Sequence, residues 1–190
     1  MWKLCGTAAL RCRDFADAAA MYERAIELQP RSVHSHEMLC DALVQLGRFD
    51  DADRIVEATP FAVTAGGMAK RARQQAIVLH GRALAMRAEP STDASRARSR
   101  ELFRAARDAF RRAREDEDED MSLEELVCDG MLGDSRAGAR LLDLMAQHPV
   151  DAQLLEQVAA LLPESLGPEE TRALARLLRA QASWFGGREH

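Results

Sequence analysis

Long apolar runs are missing from this chain. Nowhere does it approach the roughly 18 consecutive apolar residues that a helical membrane span requires. The first apolar residues meet Arg11, Arg13 and Asp14 before a signal-peptide core develops, so the expected location is the cytoplasm. Aromatic residues make up only 5% of the 190 positions, and no stretch alternates Val, Ile and Thr with polar residues, so strands have little support. The four cysteines, Cys5, Cys12, Cys40 and Cys128, include no C-x-x-C pair, and reduced thiols are expected. G-x-S-x-G, G-x-G-x-x-G and phosphate-loop motifs are all absent, and with them any pattern that carries a catalytic mechanism; no enzyme and no cofactor are expected. The formal net charge of −5 gives no general attraction for nucleic acid.

What is present is helical periodicity of one recurring kind. In Phe15 to Pro30 the apolar and small residues fall at Phe15, Ala18, Tyr22, Ala25 and Ile26, a three-or-four spacing that lines one helix face and stops before Pro30. Ala18 and Ala25 flank the bulk of Tyr22, a small-large-small face suited to close helix packing. The device returns at Phe49, Ala52, Val56 and Thr59, at Phe103, Ala106, Phe110 and Ala113, at Gly138, Leu142 and Met145, and at Ala173, Leu177 and Ala180. Ala18 to Ala52 is 34 residues, Ala106 to Gly138 is 32 and Gly138 to Ala173 is 35, whereas Ala52 to Ala106 is 54, one period with 20 residues inserted.

A period near 34 built from helix pairs resembles the tetratricopeptide repeat. Trp2, Gly6, Ala18, Tyr22 and Pro30 stand where that family has its signature residues, although Cys5 and Ala9 depart from its Leu and Tyr. The second copy keeps Leu39, Gly47, Phe49 and Ala52; the third keeps Gly81 and all four residues of its second helix. The resemblance implies an all-α, tetratricopeptide-like α-solenoid of about five helical hairpins, the last two degenerate.

The expected layout is two hairpins over 1–59, a linker over 60–73, a third hairpin over 74–114 with an inserted loop at 89–95, an acidic loop at 115–121, two degenerate hairpins over 122–185 and a tail at 186–190. Helix five is expected from Ala69 to Ala88, after an irregular Phe61–Met68 connection containing Gly66-Gly67, and helix six from Ser95 to Arg114. Gly47, Gly133 and Gly167, each after a Leu, are expected to end helices in the left-handed conformation. Ser122 with Glu125 reads as a capping box. The six acids from Glu115 oppose a helix dipole and repel one another, so they are expected to leave the helix.

Candidate sites are few. Arg96, Arg100, Arg104, Arg107, Arg111 and Arg114 form a basic stripe at helical spacing. Without interleaved aromatics it reads as a solvated face rather than a nucleic-acid surface. His34, His36, Glu37, Cys40 and Asp41 form the densest group of metal-ligand types, but His36 and Cys40 occupy packing places of the repeat, so no metal is expected. The resemblance implies that first helices line a concave groove that takes a protein or peptide segment. The groove candidates are Lys3, Thr7, Arg11, His34, Glu37, Asp41, Gln45, Gln75 and Arg82. Chaperone-binding relatives clamp a C-terminal carboxylate with Lys, Arg and two Asn; here Lys3 matches, but Thr7, Met38, Gln75 and Leu79 do not, so that clamp is not expected. Trp184 and Phe185 at the last helix end suit packing on the preceding pair or a homodimer through a solenoid end. The function implied is a non-catalytic scaffold or adaptor. The alternatives are a chaperone for a secreted or assembled partner and a regulatory fragment of a larger enzyme.

Overall fold

The computed structural model describes residues 1–88, 92–117, 121–134, 136, 137 and 140. Among them are seven helices and no strand: α1 Trp2–Arg11, α2 Phe15–Leu28, α3 Val33–Gln45, α4 Phe49–Ala58, α5 Ala65–Ala88, α6 Asp93–Glu117 and α7 Leu123–Met131. The chain forms two units, residues 1–120 with α1 to α6, and residues 121–190, of which α7 and its following corner are described. The expected packing residues Gly138, Leu142, Met145, Ala173, Leu177 and Ala180, the corner at Gly167, the Asp118–Asp120 end of the acidic run and Trp184-Phe185 lie outside the described residues.

Helix starts follow local chemistry. Side-chain oxygens of Asp14, Ser32, Thr92 and Ser122 accept from the backbone N–H three residues on, at Asp17, Ser35, Ser95 and Glu125. Each satisfies a donor that the first helical turn leaves without an intrahelical partner. The helix ends share one geometry. Arg13, Gly47 and Gly133 have φ of 61°, 70° and 93°. The next N–H in each case, of Asp14, Arg48 and Asp134, reaches back five residues to the carbonyl of Ala9, Leu43 and Asp129 at 2.9, 2.9 and 3.0 Å. This is a Schellman closure, made three times, and it turns the chain sharply into the following segment. Arg13 takes the left-handed place without being glycine, which is why composition did not mark that corner.

In the first unit α1 pairs with α2, α3 with α4 and α5 with α6, while α2 packs on α3 and α5 on both α3 and α4. The hairpins are thus joined in chain order through one core containing Ala18, Ala19, Tyr22, Leu39, Cys40, Leu43, Ala52, Val56 and Val78. Ala18, Ala52 and Ala106 are each 0% exposed. The small residues of the periodic face therefore sit at the helix crossings, as the spacing predicts. Two glycines mark still closer approaches. A Cβ at Gly6 would lie 2.8 Å from Tyr22 Cε2, and one at Gly81 would lie 2.6 Å from Val44 Cγ1. On α6 the stripe Leu102, Phe103, Ala106, Ala109, Phe110 and Ala113 is buried, and the ring of His80 on α5 stands edge-on to Phe103 and Phe110, at 6.1 and 6.5 Å between centroids.

Three expected boundaries differ from those observed. Helix α5 begins at Ala65, so the latter part of the expected 60–73 linker is helical and takes Gly66 and Gly67 with it. Thr64 Oγ1 accepts from Gly67 N–H at 3.2 Å and caps the helix upstream of both glycines. Helix α6 starts at Asp93, inside the expected 89–95 loop, because Thr92 caps it and Ser95 Oγ donates back to the Thr92 carbonyl at 2.9 Å. At its other end α6 continues to Glu117, two residues beyond the start of the expected acidic loop. Propagating a formed helix gains a hydrogen bond for each residue ordered, and buried Ala113 anchors the preceding turn, so the first acids stay helical despite the opposing dipole.

Because Ala52 and Ala106 are wholly buried, Ala52→Leu or Ala106→Leu should lower stability by about 1–3 kcal/mol through overpacking. Thermal melts of the two variants measure this directly, and unchanged midpoints would contradict the assigned crossings.

Candidate functional site: the α1 and α3 faces

Tyr22 ties the outward sides of α1 and α3 together. Its ring is fully buried, and its hydroxyl lies 2.9 Å from Thr7 Oγ1. Thr7 Oγ1 also lies 2.9 Å from the Lys3 carbonyl, which can only accept. Thr7 therefore gives its single proton to Lys3, and Tyr22 donates to Thr7. His34 meets the Tyr22 ring edge-on at 6.5 Å between centroids. Thr7 on α1 and His34 on α3 both contact Tyr22 in this way; Lys3 and Thr7 are half-buried and His34 is exposed. Glu37 and Asp41 follow His34 at three- and four-residue steps, so they share its side of α3. Lys3 also borders an open recess lined by Gln29, Pro30, Arg31 and Ser32 at the α2–α3 turn. Arg11 and Gln45 are exposed at the C-terminal ends of α1 and α3.

The two candidates on α5 are placed elsewhere. Arg82 donates through Nη2 to Asp50 Oδ1 and Asp53 Oδ2 of α4, both at 2.9 Å, with its guanidinium 5.8 Å from the centre of the Phe49 ring. The reason is the tight approach at Gly81, which sets the α5 backbone against Val44 and Phe49 and leaves the adjacent Arg82 facing the first turns of α4. Arg82 fastens the third hairpin to the second. Gln75 is exposed and borders a different recess, beside Phe61 and Met68. Sequence spacing could not separate these two from the α1/α3 set, because the insertion shifts the phase of α5.

Electrostatics at the second hairpin are local. Asp51 in the first turn of α4 accepts from Arg48 Nε at 2.7 Å and from Arg54 Nη2 at 2.6 Å. The Arg48 hydrogen bond, reinforced by the charges of Arg48 and Arg54, holds its carboxyl below the ordinary value. In α3, His36 donates from Nδ1 to the Ser32 carbonyl at 2.9 Å and is buried, as is Cys40; both belong to the packing. Burial, followed by the charges of Asp41 and Asp53, pushes the Cys40 thiol from 9.0 up to about 12. Among the described residues no group of three or more His, Cys, Asp and Glu is arranged to hold a metal, and no helix is long and apolar enough to cross a membrane. The basic stripe of α6 divides: Arg96, Arg100 and Arg104 are exposed, whereas Arg107, Arg111 and Arg114 are half-buried, with Arg96 paired to Asp93 and Arg107 to Asp108.

Helical hairpins stacked in chain order, closed by repeated Schellman corners and packed through alanines at a 34-residue step, define a helical-repeat protein. Residues 9–65, from the end of α1 to the start of α5, match the family model for the tetratricopeptide repeat. No curated protein matches the chain. Repeats of this family generally mediate protein–protein interaction.

Two outcomes follow from the thiols. Cys5 and Cys12 are exposed while Cys40 and Cys128 are buried, so a thiol reagent should label two of the four in the folded chain and all four after unfolding. Above pH 9.0 the unfolded Cys40 ionises, whereas the folded thiol holds its proton until about 12. The folded state then binds more protons, and stability falls as pH rises through that window. Denaturant midpoints of Cys40→Ala should fall less steeply there than those of the parent.

Proposed function

We propose that the chain is a non-catalytic, cytoplasmic scaffold that holds an extended or helical protein segment against the faces of α1 and α3. The observation that supports this reading is the chain of contacts from the Lys3 carbonyl through Thr7 and Tyr22 to His34, which links α1 of the first hairpin to α3 of the second. Preorganisation matters because a partner then loses only its own conformational freedom on binding. Lys3 on α1 and Glu37 and Asp41 on α3 supply both signs of charge, which suits recognition of a mixed-charge segment. Four free cysteines, two of them exposed, support a reducing compartment.

The test is affinity capture from a lysate by the tagged full chain, comparing variants of equal melting temperature. Lys3→Glu combined with Glu37→Lys should cut the captured partner about tenfold, the loss expected on reversing groups at the centre of a recognition surface. Arg82→Ala should leave the catch intact, since Arg82 engages α4. A catch unaffected by the double reversal would reject the α1/α3 placement.

A further inference from the structure

The connection from α4 to α5 lies within the insertion that lengthens the repeat period, and it is shaped rather than slack. Gly67, in the first turn of α5, is approached so closely that a Cβ there would lie 2.0 Å from the Ala62 carbonyl oxygen. The segment Phe61–Ala62–Val63 is thereby laid against the start of α5, where the Thr64 cap holds the turn. Between this segment, α5 and α6 is a recess of about 370 Å³ lined by Phe61, Val63, Met68, Ala72, Arg71 and Arg112, among others. Its size falls in the ~300–1,000 Å³ range of ligand pockets. Val63 is 97% and Met68 61% exposed, an arrangement that leaves large apolar surface in water at the mouth.

The rim carries two cations. Arg71 lies over the Phe61 ring with its guanidinium 5.7 Å from the centroid. Arg112 comes from α6, outside the helical stripe of its neighbours. Among the described residues neither has a carboxylate partner, whereas Arg48, Arg54, Arg82, Arg96, Arg98 and Arg107 are all paired. An apolar recess bordered by two guanidiniums that have no carboxylate partner among the described residues is complementary to an apolar side chain flanked by acids.

We infer that this recess docks a peptide segment of a partner protein in which one bulky apolar side chain is flanked by Asp or Glu. The apolar side chain enters between Phe61 and Met68, and the flanking carboxylates take the guanidiniums of Arg71 and Arg112. This surface is separate from the α1/α3 face, and either can fail without the other.

The experiment is fluorescence anisotropy of the full chain with a fluorescein-labelled peptide in which one phenylalanine has two glutamates on each side. Saturable binding is expected, weakened about tenfold by Arg71→Glu and likewise by Arg112→Glu, as for hot-spot arginines. Val63→Glu, a change at a solvent-exposed position, should melt like the parent and lose the peptide; Lys3→Glu should keep it. Absence of saturable binding would overturn the inference. So would equal binding of the peptide with alanine in place of phenylalanine, which would reduce the recess to a charge effect. Light scattering that shows a dimer abolished by Val63→Glu, with no peptide bound, would assign the recess to a second copy of the chain and overturn it too.

Discussion

Close approach of helix backbones is the constraint on which the rest of the first unit depends. Ala18, Ala52 and Ala106 are wholly buried, and Gly6 and Gly81 sit where even one added carbon would collide with Tyr22 or Val44. Dispersion attraction is short-ranged, so helices held apart by a methylene or two would lose much of the packing that keeps the hairpins in one core. Bulk is supplied between the small residues by Tyr22, Val56, Phe103 and Phe110, and the alternation sets the axial register of neighbouring helices as well as their separation.

The polar chemistry of the chain is subordinate to that register. Tyr22 can hand its proton to Thr7 and present an edge to His34 only because Gly6 lets α1 lie against its ring. Arg82 reaches Asp50 and Asp53 only because Gly81 brings α5 onto the α3–α4 corner. Those ion pairs are largely exposed and contribute modestly to stability, on the order of 0.2–1 kcal/mol each; their effect is to orient. The result is a set of stacked hairpins whose outward faces are defined before any partner arrives, the property that a protein-interaction module needs.

The insertion gives the chain a feature that its repeats do not. The corners within the first two hairpins use a left-handed residue and a five-residue return bond, at Arg13 and Gly47. The α4–α5 connection joins two hairpins, as the shorter α2–α3 turn does. It passes over Gly67 and exposes Val63 and Met68 beside two guanidiniums, so added length has been converted into a second surface of different chemistry.

Local rules were enough to read the helical class, the 34-residue step and the core positions Ala18, Tyr22, Ala52, Phe103 and Ala106 from the amino acids alone. Helical spacing, capping oxygens and helix-ending glycines act over a few residues and leave direct traces in the chain. Tertiary packing decided the rest. It carried α6 to Glu117 on the anchor of Ala113, and turned Arg82 onto α4 and Gln75 toward Phe61. The physical reason is that these outcomes depend on which backbone comes within a few ångströms of which other one. That is set by contacts between residues far apart in sequence, and a periodic pattern interrupted by an insertion does not encode it.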